Sequence, residues 1–156
     1  MTDRSTQLSE ATEKFVTLRL AGQLIGLPIG QVRDVFQISA VTPVPLADAS
    51  VLGLANLRGR IVLVHSLAGL IGLATAPMRK GPRMAVSVTV RGEVSAIQID
   101  EIGEVVELPI SGAQPVPAQV DKSWMRHARR VFSLGDELMI ELDLPSLLES
   151  PLIQAA

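Results

Sequence analysis

Apolar and polar residues alternate along much of this chain. Residues 15–20 set Val16, Leu18 and Leu20 on one side and Thr17 and Arg19 on the other, the period-two pattern of a strand. Ala21-Gly22-Gln23 turns the chain, and residues 24–29 return it, which predicts a hairpin. Pro28, late in the return strand, predicts an edge position. Residues 31–38 instead space Val32, Val35 and Phe36 as one helical face, with Arg33, Asp34 and Gln37 outside, and predict a helix of one to two turns. The Val41-Thr42-Pro43-Val44-Pro45 stretch is too rich in proline for a helix and suits an edge strand. Residues 46–50 form a polar loop.

The Leu57-Arg58-Gly59 triplet reads as a turn, because Gly59 tolerates a positive φ without a Cβ clash. The β-branched run Ile61 to Val64 predicts a buried strand after it. Residues 66–73 suit a short helix ended by Gly72. Residues 74–82 form a Pro, Gly and basic linker and are the best boundary candidate in the chain. A second alternating run places Met84, Val86, Val88 and Val90 on one face, Arg91-Gly92 turns, and residues 94–100 return. Residues 101–108 separate Ile102, Val105 and Val106 by Glu101, Glu104 and Glu107, which fits either a short helix or a strand bulged at Gly103. A loop with three prolines, a helical turn at 121–128, a hairpin around Gly135-Asp136 and a terminal helix at 144–150 complete the pattern. Residues 1–14 read as a disordered, solvated lead-in and 151–156 as a tail, leaving 15–150 as the folded unit.

Eight to ten short strands with tight turns and few helices predict an all-β fold, as small barrels or a sandwich. No repeat of fixed period exists. A hairpin, a short apolar connector and a second pair of strands nevertheless occur twice, an echo compatible with two similar barrels.

Composition narrows the function. The 156 residues are 47% hydrophobic and 19% charged, with three Phe, one Trp and no Tyr. The core is therefore aliphatic, and aromatic platforms for base stacking are nearly absent. A net charge of -2 leaves no electrostatic footprint for nucleic acid. Without cysteine there are no disulfides, thiol nucleophiles or thiolate metal sites. Residues 61–78 lack Asp, Glu, Lys and Arg, which raises the question of a membrane span. His65, Ser66, Gly69, Gly72, Thr75 and Pro77 interrupt them, and Arg60 and Arg79 enclose them, so a span is not expected. No signal peptide is expected, since Met1 to Lys14 is polar and has no apolar core.

Few residues suggest catalysis. His65 and Ser66 are adjacent, but neighbours on a strand point to opposite faces and do not form a nucleophile–base pair. His127, in a run with Arg126, Arg129 and Arg130, reads as part of a solvated basic face rather than a phospho-acceptor. Two histidines far apart in sequence do not build a metal site, and no cofactor is expected. Asp100, Glu101, Glu104 and Glu107 read as a solvated edge in preference to an acid–base pair, with Asp100 available to hydrogen-bond a nearby loop. Trp124 is expected to pack against a barrel end, the alternative being an exposed interface anchor. Arg58, held at a strand entrance beside apolar surface, either meets a defined partner group or ties down its own loop through carbonyls.

The stretch Gly53-Leu54-Ala55-Asn56-Leu57-Arg58-Gly59-Arg60-Ile61-Val62-Leu63-Val64 also resembles the signature of the CheW-like family. These are the adaptors that couple chemotaxis receptors to the histidine kinase CheA. The family pattern is close to Gly-x-x-Asn-Leu-Arg-Gly-x-Ile-x-Pro-Val-x-Asp-Leu-Arg. Gly53, Asn56, Leu57, Arg58, Gly59, Ile61, Val64 and Leu67 match it; Leu63, Ser66 and Ala68 replace the usual Pro, Asp and Arg. Further similarity runs from Phe15 to Leu148: the opening hairpin with Leu27-Pro28-Ile29, Val32 and Val35, the Ile97-to-Val105 stretch around Asp100, and Leu142-Asp143 to Leu147-Leu148.

The resemblance implies two five-stranded, Src-homology-type β-barrels side by side, with no enzymatic activity. It implies a cytoplasmic adaptor, brought to the membrane through receptor arrays, whose partners are the CheA regulatory domain and the cytoplasmic tip of chemoreceptors. Matching positions assign partner binding to Arg58, Val32, Asp34, Met84, Ile102 and Val105. The missing charges at Ser66 and Ala68 predict a dedicated, non-standard partner. The reading from another class is a small β-barrel ligand-binding module or hydrolase unrelated to chemotaxis.

Overall fold

The computed structural model describes residues 11–38, 40–45, 50–72, 83–120 and 122–148. Its strands are β1 (Thr12–Leu20), β2 (Gln23–Pro28), β3 (Val32–Ile38), β4 (Val51–Leu57), β5 (Arg60–Ser66), β6 (Arg83–Val90), β7 (Glu93–Ile99), β8 (Glu101–Pro109), β9 (Ala128–Leu134) and β10 (Glu137–Leu142). Among the described residues three short α-helices join them: α1 (Leu67–Ile71), α2 (Lys122–Met125) and α3 (Leu144–Leu148). The strands form two five-stranded sheets, ordered β8-β1-β2-β10-β9 and β3-β6-β7-β5-β4. The fold is all-β with a few short helices, as expected.

Both sheets close by the same device. The segment after β3 returns so that Thr42 bridges Leu54 of β4, and the segment after β8 returns so that Gln114 bridges Val131 of β9. Strand by strand, β3-β6-β7-β5-β4 repeats β8-β1-β2-β10-β9. The echo in the sequence is thus a topological one. The chain distributes it unevenly, however. One barrel takes the continuous stretch β3–β7; the other is assembled from β1, β2 and β8–β10, which flank it. The central barrel is an insertion within the terminal one.

This arrangement corrects the boundary expectation. The 74–82 linker lies outside the described residues, but β5 before it and β6 after it belong to the same sheet. It does not separate the barrels. The crossings occur instead at Ile29–Gln31, a single 3-10 turn, and at Asp100, the one residue between β7 and β8.

Residues 31–38 form strand β3, not a helix. Val32, Asp34, Phe36 and Ile38 turn inward while Arg33, Val35 and Gln37 are exposed. The residues carry both periods, and an antiparallel pairing with β6 from Val32↔Val88 to Ile38↔Arg83 selects the period of two. Pro28 is not on an edge, since β2 lies between β1 and β10. It forms a pair with Phe15 that exchanges no hydrogen bonds, counting out from the two-residue turn, and lies beyond the short parallel contact of Ile25 and Gly26 with β10. Its missing N–H therefore breaks no ladder bond. The lead-in also ends earlier than expected, because β1 begins at Thr12.

The 101–108 ambiguity resolves as a strand with a bulge. Val16 pairs with Val105 and Leu18 with Ile102, so Gly103 and Glu104 together oppose Thr17. A Cβ at position 103 would collide with the Thr17 Oγ1. The Thr17 hydroxyl donates to the Glu104 carbonyl at 2.5 Å, which satisfies a group the bulge leaves over.

Three apolar clusters hold the molecule together. Between the barrels, Leu18, Leu20, Ile25 and Leu27 meet Val86, Val88, Ile97 and Ile99, sealed by Leu67 and Ile71 of α1, Trp124 of α2, and Leu144 and Leu147 of α3. Strands β1, β2, β6 and β7 are thus buried on both faces. Each such side chain contributes about 1.5–3 kcal/mol of transfer free energy. Phe15, Leu24, Phe132 and Met139 fill the terminal barrel, and Ile38, Ala55, Val62, Val64, Ala85 and Ala96 fill the central one. Trp124 packs inside, as expected.

Candidate functional site: a barrel seam and an edge strand

At the β4–β5 turn, Leu57 pairs with Arg60 across two residues of positive φ, Arg58 at 53° and Gly59 at 81°. A two-residue turn of this hand matches the twist of the flanking strands. The Asn56 side-chain oxygen accepts the Gly59 N–H at 2.8 Å and fixes the turn. Arg58 is therefore lifted off the sheet, its side chain 77% exposed, and its guanidinium lies 3.1 Å from a carboxylate oxygen of Asp34 on β3. The pair reaches between the two edge strands of the central barrel. The group the guanidinium meets is a side chain on another strand rather than a carbonyl of its own loop.

Beside this pair the barrel is incompletely closed. The Thr42–Leu54 bridge has both backbone hydrogen bonds at 2.8 Å. Gly53 makes that approach possible: with φ at 146°, a Cβ there would run into the Thr42 carbonyl oxygen. Away from the bridge the edge strands diverge into a groove of about 540 Å³, lined by Phe36, Ile38, Ala40, Leu54, Ala55 and Ile61, among others. Leu54 is 37% and Ile61 62% exposed. Ile61 corrects the expectation of a strand buried from its first residue: burial in β5 is confined to Val62 and residues 64–66.

The remaining candidate residues divide by location. Val105 is 54% exposed on edge strand β8, among Glu101, Glu104 and Glu107. Val32, Met84 and Ile102 are partly buried and pack against the core between the barrels. The structure therefore brings Arg58 and Asp34 together, leaves Val105 on the other barrel, and gives the other three a packing position. The groove itself escaped sequence reasoning, because its lining comes from strands whose side chains also read as core. The signal available was the pairing of Ile61 with the polar Asn56 directly across the strand.

Ser66 and Ala68 do not stand on an exposed helix start. Ser66 is buried and caps α1, its Oγ accepting the Gly69 N–H at 3.2 Å, and Ala68 packs on the inter-barrel core. A serine serves as an N-cap as well as the aspartate it replaces. His65, beside it, is buried in β5.

His127 has a neighbour that sequence did not suggest. Its Nδ1 lies 3.3 Å from the Ser146 Oγ, while an Asp143 carboxylate oxygen accepts the Ser146 N–H at 3.4 Å. Burial and the nearby Arg126 hold this imidazole below its ordinary pKa, with Asp143 acting in the opposite sense. Asp143 addresses the serine backbone rather than the imidazole, so the three residues tie α3 to the loop before β9. Among the described residues there is no cluster of His, Asp and Glu able to hold a metal ion.

Asp100 binds the loop that sequence suggested. Its carboxylate accepts the Ala21 N–H at 2.9 Å, in the β1–β2 turn.

The comparisons with known proteins agree with this architecture. A protein-family model described as CheW-like domain matches residues 14–152. The chain belongs to the CheW-like domain family. It is 27% identical over 144 residues to the chemotaxis protein CheW of Treponema pallidum, covering 90% of this chain and 85% of that one. It is 24% identical to the chemotaxis protein CheW of Rhizobium meliloti over 156 residues, the full length of both. The crystal structure of the scaffolding protein TtCheW from Thermoanaerobacter tengcongensis matches with a TM-score of 0.79 and 25% identity, covering 90% of this chain and 95% of the other. Among the described residues no helix is long and apolar enough to cross a membrane.

Proposed function

We propose that this CheW-like protein is a non-catalytic, cytoplasmic adaptor that couples chemoreceptors to a CheA-type histidine kinase. Membership of the family supports the adaptor role, and the kinase regulatory domain and receptor tip are the partners the family resemblance implies. The observation that carries the reading is the ion pair between exposed Arg58 and partly buried Asp34, beside an open apolar groove. An apolar groove supplies area, and a fixed guanidinium supplies direction. Arg58, Asp34 and the groove form one surface, and Val105 on β8 a second, on the other barrel. Val32, Met84 and Ile102 act by setting the shape beneath these surfaces.

The test is direct. Arg58→Ala is expected to weaken binding of a CheA-type regulatory domain or of a receptor tip by about 2 kcal/mol, roughly thirtyfold in Kd. Its thermal unfolding should barely move, because an exposed ion pair contributes about 0–1 kcal/mol. An unchanged Kd for both partners sinks the reading.

A further inference from the structure

Strands β7 and β8 are one run of chain that belongs to two sheets. Ile99 ends the central barrel, paired with Met84, and Glu101 begins the terminal barrel, paired with Arg19. Asp100 alone lies between them. A strand that changes sheets needs a corner, and the angle of the corner sets how the two sheets stand to one another. At this corner both polar ends of Asp100 engage the same hairpin. Its N–H donates to the Arg19 carbonyl at 3.2 Å, and its carboxylate accepts the Ala21 N–H at 2.9 Å. Ala21 is a non-glycine residue at φ 51°, the first position of a tight two-residue turn, where its N–H points away from the ladder. Arg19, two residues before, is held in turn by two 2.8 Å bonds to Glu137 of the β9–β10 hairpin.

The apolar surface between the barrels brings them together, but apolar burial has no directional preference. Hydrogen bonds do. We infer that Asp100 is a positioning residue: its carboxylate pins the corner to the β1–β2 turn and so fixes the angle between the two barrels. The consequence for function rests on the adaptor reading. The Arg58–Asp34 surface is on the central barrel and Val105 on the terminal one, so one angle sets the relation between the two docking surfaces. Asp100 touches neither surface's residues; its effect is on simultaneous engagement.

The chain has no cysteine, so spin labels can be placed cleanly at Glu93→Cys on the central barrel and Ser133→Cys on the terminal one, both exposed. The distance distribution between them, by pulsed electron paramagnetic resonance, is expected to be narrow in the parent and broad in D100A. D100N, whose amide oxygen still accepts the Ala21 N–H, is expected to restore it. In D100A each partner alone, kinase regulatory domain or receptor tip, should bind as before, while the second partner's gain from the first falls by about tenfold. A narrow D100A distribution, or D100N as broad as D100A, overturns the proposal. If D100A does not fold, hydrogen exchange at the Ala21 amide of the parent decides: protection supports the pin, and exchange at the rate of an open turn overturns it. A parent that binds neither partner defeats the adaptor reading, while the distance and exchange measurements still judge Asp100.

Discussion

The two barrels share one strand order and differ in what they do with their apolar residues. In the terminal barrel Phe15 and Phe132 meet at 5.3 Å between ring centroids, and Met139 fills the space over Gly26. Above this layer Glu141 is fully buried and receives Arg130, whose guanidinium also lies 5.3 Å over the Phe132 ring and 3.1 Å from Glu13. The buried residues of the central barrel are smaller: three alanines, Ala55, Ala85 and Ala96, stand beside Ile38, Val62 and Val64. At the seams the contrast reverses. Val131, at the closing bridge of the terminal barrel, is 0% exposed and shares a cluster with Trp124 of α2, whereas Leu54, at the equivalent bridge, opens to the groove. A barrel filled with bulky side chains and covered at its seam is a scaffold, one that carries its proposed docking position on an edge strand, at exposed Val105 of β8. A barrel whose seam turns apolar residues such as Leu54 and Ile61 outward has area available for another molecule.

The comparison makes unequal predictions for the two barrels. Phe132→Ala is expected to lower stability by about 3–5 kcal/mol, because the cavity opens against Phe15 and Met139 with little room to relax. Urea unfolding measures it, and a loss under about 1 kcal/mol would mean that the terminal barrel is not the rigid partner. Glu141→Ala should cost about 3 kcal/mol, since it removes the buried carboxylate from Arg130 and leaves that half-buried guanidinium with Glu13 alone. In the central barrel the sensitive point is the seam. Gly53→Ala, forced to φ 146° and against the Thr42 carbonyl, is expected to cost at least about 2 kcal/mol. Ile61→Ser should leave stability within about 0.5 kcal/mol while weakening partner binding. If it destabilised the fold as Phe132→Ala does, the division into scaffold and surface would fail.

The smallest effect concerns pH. The imidazole of His127 is held below its ordinary value of 6.5 in the folded chain, so the unfolded chain binds a proton there more readily. Its contribution to stability is full above pH 6.5 and is lost as pH falls through the lower, folded value. His127→Gln should therefore flatten part of the stability loss below pH 6.5 in unfolding curves taken at a series of pH values. An unchanged slope would show that burial and Arg126 do not hold this imidazole below its ordinary value in the folded chain.

Sequence alone determined most of the local structure. Strand alternation and the two-residue turns at Ala21-Gly22, Arg58-Gly59 and Arg91-Gly92 were legible, because each depends on residues close in the chain or on the steric rules of one residue. A bulge at Gly103 was one of two readings that only pairing with β1 could separate, and Asp100 was legible as a loop-binding residue but not its partner, the Ala21 N–H, 79 residues away in sequence. The motif around Arg58 likewise carries the family resemblance in a dozen consecutive residues. What the tertiary structure decided was partnership. Val32, Val35 and Phe36 satisfy a helical spacing while Val32, Phe36 and Ile38 satisfy a strand spacing, and only pairing with β6 made them a strand. Ile61 and Val62 are both β-branched, yet Ile61 is exposed and Val62 buried, since burial depends on which face closes against the barrel. The insertion of one barrel into the other was not legible either. Period-two alternation states that a residue faces inward or outward, but not which of two interiors it faces, and that choice belongs to contacts far apart in sequence.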